Sequence, residues 1–194
     1  MQEKCGLPNC AGVVDGTLFP LTFCQQIEDA PDHKGRKHLH LLSGVAICDD
    51  ERFTQCCHAR WPGSTLNSRI AKNLQMWLNP KECFKKNKCM MGNGAFENHW
   101  FAASAFTALP GQSVEPDHAV FDGALSKARV MSDHTIGLLR GTFPWLQSMR
   151  KTIAEDVSTL TNTLLFMDAC VVLHDFLQCK KKDDALEEWF NDAK

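Results

Sequence analysis

Two turns of this sequence place a polar side chain directly after an apolar run, where a folded protein often presents a catalytic group. The first holds Asp15, in VVDGT, and the second holds Asn93, in CMMGNGAF. A buried carboxylate is costly unless it is hydrogen-bonded, paired or bound to a metal, so Asp15 is a candidate functional residue. The alternative is a turn cap, because Asp-Gly is a common turn dipeptide. Asn93 is unexpected, because an amide stands where hydrolytic metal chemistry would use a carboxylate.

Two further segments supply polar candidates on predicted helices. In ARWPGSTLNSRI, a Pro-Gly-Ser turn puts Asn67 and Arg69 near a helix N-terminus, where the helix dipole favours anions. In ALSKARVMSDHTIGLL, Arg129 and Asp133 are four residues apart and therefore share one helix face. Each pair also has a plain structural explanation: residues of a strand–turn–helix junction in the first case, and a solvated ion pair in the second.

The elements that must position these residues include both strands and helices. Apolar runs predict a strand that ends near Asp15, two strands in LHLLSGVAICDD and RFTQCCHARW, and a short strand in KCMMGNGAF. Capping residues and helical spacing predict helices over 64–78, 117–141 and 157–177. This order of strands, helix, strand and helices predicts a mixed α/β domain.

The composition excludes several classes of protein. Apolar residues make up 44% of the 194 residues and charged residues 23%, which is ordinary for one globular domain and excludes wholesale disorder. The net charge of −2 is unlike that of a strongly basic nucleic-acid binder, so any DNA contact must come from local patches. No apolar run approaches the ~20 residues that cross a bilayer, so no membrane partner is expected.

Ten cysteines are many for a protein without a disulfide framework. No Cys-x-x-Cys pair occurs, and most cysteines lie in apolar runs such as GVAICDD and DACVVL, where the side chain acts as a small hydrophobe. We expect reduced, structural thiols. The mixed Cys and His segments CCH and CVVLHDFLQC lack zinc-finger or zinc-ribbon spacing, so structural zinc is not expected.

Taken together, six blocks of the sequence resemble the catalytic domain of PIF/Harbinger transposases, which are DDE superfamily endonucleases. In order they are GVVDGT, RK followed by GVAICDDERF, ARWPGSTLNSRI, MMGNGAF, ALSKARVMSDHTIGLLRGTFPWLQSMR and ACVVLHDFL. The resemblance implies an α/β fold: an RNase H-like mixed sheet flanked by helices. It implies a nuclease-type domain over 10–178, between an N-terminal extension (1–9) and a charged C-terminal tail (179–194).

The resemblance also implies metal-dependent DNA cleavage. Such endonucleases use two Mg²⁺ or Mn²⁺ ions about 3.5–4 Å apart, and several carboxylates offset the charge of the ions. By position, Asp15 is the first acid, Asn93 stands at the second and Asp133 stands at the third. All three are therefore the implied catalytic and metal-binding positions.

The helix and turn motifs of the family add secondary candidates. The third acid of the family is usually the Glu of an R-x-x-x-E helix, whose Arg is Arg129 here. In the W-P-G-S-x-H-D-x-R block of the family, Leu66 replaces the His, Asn67 replaces the Asp and Arg69 is the Arg.

Departures from the family pattern predict impaired cleavage. Asn93 and Asn67 offer an oxygen ligand without a charge, and Mg²⁺ prefers carboxylates. Asp133 is one methylene shorter than Glu, and a displacement of about 1 Å can lower a rate about 10²-fold. The predicted function is a transposase-derived, DDE endonuclease-like, divalent-metal-binding domain with impaired or lost DNA cleavage. The alternatives are a domesticated, non-enzymatic interaction protein with the same fold, and an active nuclease that uses Asn93 as a neutral ligand.

Partners and location follow from the same resemblance. Full proteins of the family carry an N-terminal helical DNA-binding domain, whereas only 14 residues precede Asp15 here, so DNA binding is expected to be weak. A protein partner is expected for the domesticated alternative. The ancestry predicts a nuclear location, with the cytoplasm as the alternative, because basic clusters such as KKNK and KKK are short.

Overall fold

A five-stranded mixed sheet forms the centre of the fold. The computed structural model describes residues 1–21, 40–85, 87–106, 115–149 and 157–192. The strands are β1 (Cys10–Pro20), β2 (Leu41–Cys48), β3 (Thr54–Pro62), β4 (Cys89–Gly92) and β5 (Ala102–Ser104), in the spatial order β3-β2-β1-β4-β5. β1, β2 and β3 pair antiparallel, whereas β4 is parallel to both β1 and β5. The predicted mixed α/β architecture is confirmed, and β5 is a strand that the sequence patterns did not predict.

Six helices flank this sheet in the part of the chain that the structure describes. They are α1 (Gln2–Cys5), α2 (Asn67–Ala71), α3 (Gln75–Leu78), α4 (Pro80–Cys83), α5 (Pro116–Thr142) and α6 (Val157–Asp192). A 3-10 helix, Pro144–Gln147, follows α5. The predicted helix over 117–141 is confirmed as α5. The predicted helix over 157–177 begins at the expected residue but continues to Asp192, so most of the segment expected to be a separate charged tail prolongs α6.

β1 runs without interruption through Asp15, so the predicted strand end and turn at this residue are wrong. Asp15 is opposite Ala46 of β2, and Gly16 is opposite Val45. The antiparallel register continues to Pro20. Because β2 offers hydrogen-bonding partners along this whole stretch, strand pairing overrides the local turn preference of Asp-Gly.

The single helix predicted over 64–78 is also wrong, because short helices stand in its place. The Asn73 side chain explains the first break: its Nδ2 donates a 2.9 Å hydrogen bond to the Arg69 carbonyl. That oxygen is the acceptor that the Asn73 N–H would use in a continuing α-helix. The Asn73 N–H bonds instead to the Ile70 carbonyl, and Leu74 is extended.

The two faces of the sheet bury different clusters. On one face, Val14 packs with Ile70 and Leu74 from the α2 region. On the other face, Val13 packs with Leu125 of α5. Side chains alternate between faces along a strand, so Asp15 points toward α5, as Val13 does. Within the predicted N-terminal extension, Cys5 and Leu7 are buried in the same cluster as Val13.

The described cysteines are free thiols with very different environments. Burial raises the pKa of Cys48 to about 11 and the pKa values of Cys10 and Cys57 to about 12, whereas Cys83 and Cys179 are exposed. At pH 8 we expect iodoacetamide to label Cys83 and Cys179 at least about 10²-fold faster than Cys10, Cys48 and Cys57. The thiolate is the nucleophile, and burial keeps these three cysteines in the thiol form. Mass spectrometry of the folded protein measures this ratio, and urea should abolish it. Equal labelling in the folded state would contradict these environments.

Among the described residues, α6 holds the one segment whose length and hydropathy match those of a membrane-spanning helix. Its segment Ser158–Asp184 is long and apolar enough to cross a membrane, judged by length and composition, with a hydropathy of 1.3 and 22% of its most apolar part buried. Asp168 and Asp175 interrupt its apolar residues, so the segment does not stand out as one apolar run in the sequence. α6 packs on β3 and α5, and the Asp175 carboxylate accepts the Thr54 N–H at the start of β3.

Candidate catalytic site

The Asp15 carboxylate is the centre of the candidate site. Asp15 is 7% exposed, and hydrogen-bond donors reach both of its oxygens. Oδ1 accepts the Gly16 N–H at 2.8 Å and the Asn93 Nδ2–H at 3.1 Å. Oδ2 lies 3.4 Å from an amino nitrogen of Arg129. The buried carboxylate is therefore both hydrogen-bonded and paired with a cation, which are two of the three ways to offset its burial.

Parallel pairing of β1 and β4 brings Asn93 to this carboxylate. Val14 is opposite Gly92, so the next residues along the two strands, Asp15 and Asn93, are neighbours. A second hydrogen bond orients the Asn93 amide, because its Oδ1 accepts the Ala95 N–H at 2.9 Å. The amide oxygen is thus engaged by the backbone, and the amide N–H faces Asp15.

Arg129 reaches the site from α5, which crosses the sheet next to β1. In this ion pair the Arg129 side chain is 37% exposed, whereas the Asp15 side chain is only 10% exposed. The solvated ion pair with Asp133, considered from the sequence, is not formed. Asp133 lies one turn further along α5 and is exposed, and its carboxylate has no hydrogen bond or ion pair with any residue that the structure describes.

A second arginine of α5, which belongs to none of the candidate residues predicted from the sequence, fixes the helix along β1. Arg140 donates to the Thr17 Oγ1 at 2.9 Å and to the Leu18 carbonyl at 2.6 Å. Burial lowers the pKa of its guanidinium. The spacing of 11 residues from Arg129 is three helical turns, which places both side chains on one face and could have revealed the pair.

Asn67 lies on the opposite face of the sheet from the Asp15 carboxylate. A Cβ added to Gly16 would lie 2.0 Å from the Asn67 Nδ2 and 2.4 Å from its Cγ. Because Gly16 follows Asp15 in the strand, its missing side chain would point away from α5. Asn67 therefore packs where Gly16 leaves room, and Arg69 in the same helix is exposed. The structure joins Asp15, Asn93 and Arg129, but not Asn67, Arg69 or Asp133.

The arrangement does not fit a two-metal site. Among the described residues, no group of three or more His, Cys, Asp or Glu side chains could hold a metal ion. Asp15 is the one carboxylate in the cluster with Asn93 and Arg129, and its oxygens face N–H donors. A cation at this point would meet the amide N–H and the guanidinium, both of which repel it.

The family of the chain follows from a comparison with known families. A family model described as DDE superfamily endonuclease matches residues 14–175. This chain belongs to that family. The match covers Asp15, Asn93 and Asp133, and the mixed sheet flanked by helices is consistent with the RNase H-like fold of DDE endonucleases. No curated protein and no solved structure matches the chain.

In this DDE endonuclease domain, Arg129→Gln is expected to destabilise the fold by about 1–2 kcal/mol at pH 7, because Asp15 stays buried without its cation. Urea denaturation measures the change. The matched control Arg69→Gln removes an exposed arginine of α2 and should change stability by less than about 0.5 kcal/mol. Adding Asp15→Asn to Arg129→Gln should restore part of the loss. Equal effects of the two arginine substitutions would contradict the pairing.

Proposed function

We propose that this domain derives from a PIF/Harbinger-type transposase and that its DNA cleavage is impaired or lost. One observation carries the proposal: Asn93 presents an amide N–H, and not an oxygen, to the Asp15 carboxylate. The position that would hold the second acid of a DDE site therefore donates a hydrogen bond to the first acid. The two groups form a stable pair that needs no metal ion between them.

Charge supports the same conclusion. Two carboxylates close together repel each other and require a cation, whereas one carboxylate beside a guanidinium and an amide is already neutralised. Arg129 supplies at Asp15 the positive charge that a divalent ion would supply in an active site. A metal ion binding through Asp15 and Asp133 would have to displace these contacts, so we expect such binding to be weak.

The plasmid-nicking activity of the full chain tests the proposal. We expect the protein to nick supercoiled DNA in Mg²⁺ or Mn²⁺ no faster than its Asp15→Ala variant, which controls for contaminating nucleases. Calorimetric titration with the same ions should give weak binding or none. Nicking that Asp15→Ala abolishes would overturn the proposal and establish the active nuclease that uses Asn93 as a neutral ligand.

A domesticated, non-enzymatic role is the second candidate, because α6 carries exposed apolar residues that cleavage does not require. In this role the fold serves as an interaction surface with a protein partner, and contacts with DNA are weak. From the ancestry we also infer a nuclear location. Co-purification from the native cell, compared between the parent and a variant with a charged α6 face, tests this role independently of nicking.

A further inference from the structure

One face of α6 exposes a continuous set of large apolar side chains. They are Leu165 (59% exposed), Phe166 (48%), Val172 (67%), Leu173 (51%), Phe176 (65%) and Leu177 (40%). Ala169 is exposed between them. At 100° per residue these positions form one stripe along the helix, opposite Met167, Cys170 and His174, which are buried. We call this stripe the α6 face.

The area of the α6 face is comparable to that of the largest apolar patch on a typical monomer, and such patches are often functional. Two phenylalanines of ~200 Å² each, about half exposed, and four exposed aliphatic side chains amount to several hundred Å². A standard interface buries about 800 Å² per partner, so this one helix supplies a large part of what a stable dimer needs. Trp145 extends the face, because its ring packs edge-on against Phe166 at 4.5 Å.

Two pairs of large residues on the α6 face lie symmetrically about the level of Val171. In LFMDACVVLHDFL, Leu165 and Leu177 are equally far from Val171, and so are Phe166 and Phe176. Two copies of α6 that cross antiparallel at Val171 would therefore place leucine against leucine and phenylalanine against phenylalanine. A two-fold symmetric interface requires such self-complementarity.

The charges near the α6 face favour the antiparallel arrangement over a parallel one. Lys180, Lys181 and Lys182 follow the apolar stripe. Lys180 is paired with Asp184 at 3.8 Å and Lys182 with Glu51 at 2.8 Å, so Lys181 is the lysine of this cluster that has no ion pair among the described residues. A parallel pair would bring the two Lys181 side chains side by side, whereas an antiparallel pair centred at Val171 separates them by about 30 Å along the axis, at 1.5 Å per residue. Asp168 borders the face but is already paired with Arg60 of β3 at 3.3 Å.

We propose that a second copy of this chain covers the α6 face, in an antiparallel, two-fold symmetric dimer centred near Val171. This interface lies on α6, and it neither requires nor excludes DNA cleavage at Asp15. It therefore stands or falls independently of the proposed loss of cleavage, whereas it competes with a different protein partner for the α6 face.

The oligomeric state of the full chain tests the dimer. Analytical ultracentrifugation should show a dimer, and Phe176→Glu should weaken it at least about 10-fold, because aromatic anchors dominate interface energies. The matched control Val130→Glu places the same charge on an exposed apolar residue of α5, which is 50% exposed, and should leave the dimer unchanged. Circular dichroism should show the helix content of the parent in both variants, so that a loss of the dimer is not a loss of the fold. A monomeric parent, or equal effects of the two substitutions, would overturn the proposal.

A charge exchange distinguishes the antiparallel arrangement from a parallel one. Leu165→Glu and Leu177→Lys should each weaken the dimer, and their combination should restore it, since each new carboxylate would face a new ammonium group of the other copy. The two positions are about 18 Å apart within one helix, so no rescue can occur inside one chain. Failure of the combination to restore dimerisation would overturn the antiparallel arrangement.

A vesicle experiment tests lipid as the other occupant of the α6 face. Co-sedimentation of the parent with phosphatidylcholine vesicles, abolished by Phe176→Glu, would show that lipid covers the face and would overturn the dimer.

Discussion

Asn93→Asp should make the stability of the fold depend on a divalent metal. The substitution replaces an N–H donor with a carboxylate oxygen at a position 3.1 Å from the Asp15 Oδ1. In EDTA at pH 7 we expect a loss of about 1–3 kcal/mol, because a hydrogen bond becomes a repulsion between like charges. Mn²⁺ or Mg²⁺ should restore the lost stability by binding between the two carboxylates. Thermal unfolding with and without each ion measures both effects.

A matched control separates this effect from the general cost of a new carboxylate. Asn98 also accepts a backbone N–H, from Ser104, but it has no bond to Asp15. Asn98→Asp should therefore show no metal dependence. If Asp133 stands at the third acid, adding Asp133→Glu to Asn93→Asp gives that acid the length of Glu, and under the proposed function this double variant is the one expected to gain plasmid nicking. If Asn93→Asp were as stable as the parent in EDTA and gained nothing from Mn²⁺, Asn93 would not stand at the second acid.

Gly44→Ala should destabilise the sheet by about 2–3 kcal/mol, through overpacking where β2 and β3 approach each other at Gly44. A Cβ at Gly44 would lie 2.6 Å from both the Cα and the Cβ of Ala59, and 2.8 Å from the His58 carbonyl oxygen. These are mostly backbone atoms, so the two strands must separate to admit the methyl group. Urea denaturation measures the change in the free energy of unfolding.

The control for Gly44→Ala is the same substitution at Gly123, in the middle of α5. A Cβ there meets no atom within 4 Å. Because alanine favours the helix more than glycine does, Gly123→Ala should stabilise the fold by about 0.5–1 kcal/mol. The two substitutions are therefore expected to have opposite signs. A destabilisation of similar size at both positions would show that the strand contact is not the cause.

Long, periodic elements could be predicted from the sequence, whereas elements decided by one side chain could not. α5 follows its apolar spacing almost to the residue, because its burial against the sheet matches its intrinsic pattern. The region of α2 departs from its pattern because the Asn73 amide takes the Arg69 carbonyl. Periodicity does not record which local hydrogen bond a side chain will make.

The sequence could identify Asp15, Asn93 and Arg129 as candidate residues, but it could not show which of the candidates touch one another. Helical spacing placed Arg129 and Asp133 on one face of α5, but it could not show that α5 crosses β1 and turns Arg129 toward Asp15. The Asp15–Gly16 dipeptide pointed to a turn, although the glycine here leaves room for Asn67 against a continuous strand. In both cases the deciding partner is distant in the sequence: Asp15 for Arg129, and Asn67 for Gly16.

The hydrogen bond between Asn93 and Asp15 also bears on how such a domain evolves. The codons of asparagine and aspartate differ in their first base alone, so a single nucleotide change could return the acid. That change would place two carboxylates about where the structure now has a 3.1 Å hydrogen bond, and the resulting protein would be less stable until it bound a metal ion. Such a protein would gain stability from a metal ion only if further ligands stood beside the two carboxylates. Together, the Asn93 amide and the Arg129 guanidinium satisfy the Asp15 carboxylate, so an acid at position 93 would cost stability unless a metal ion bound beside it.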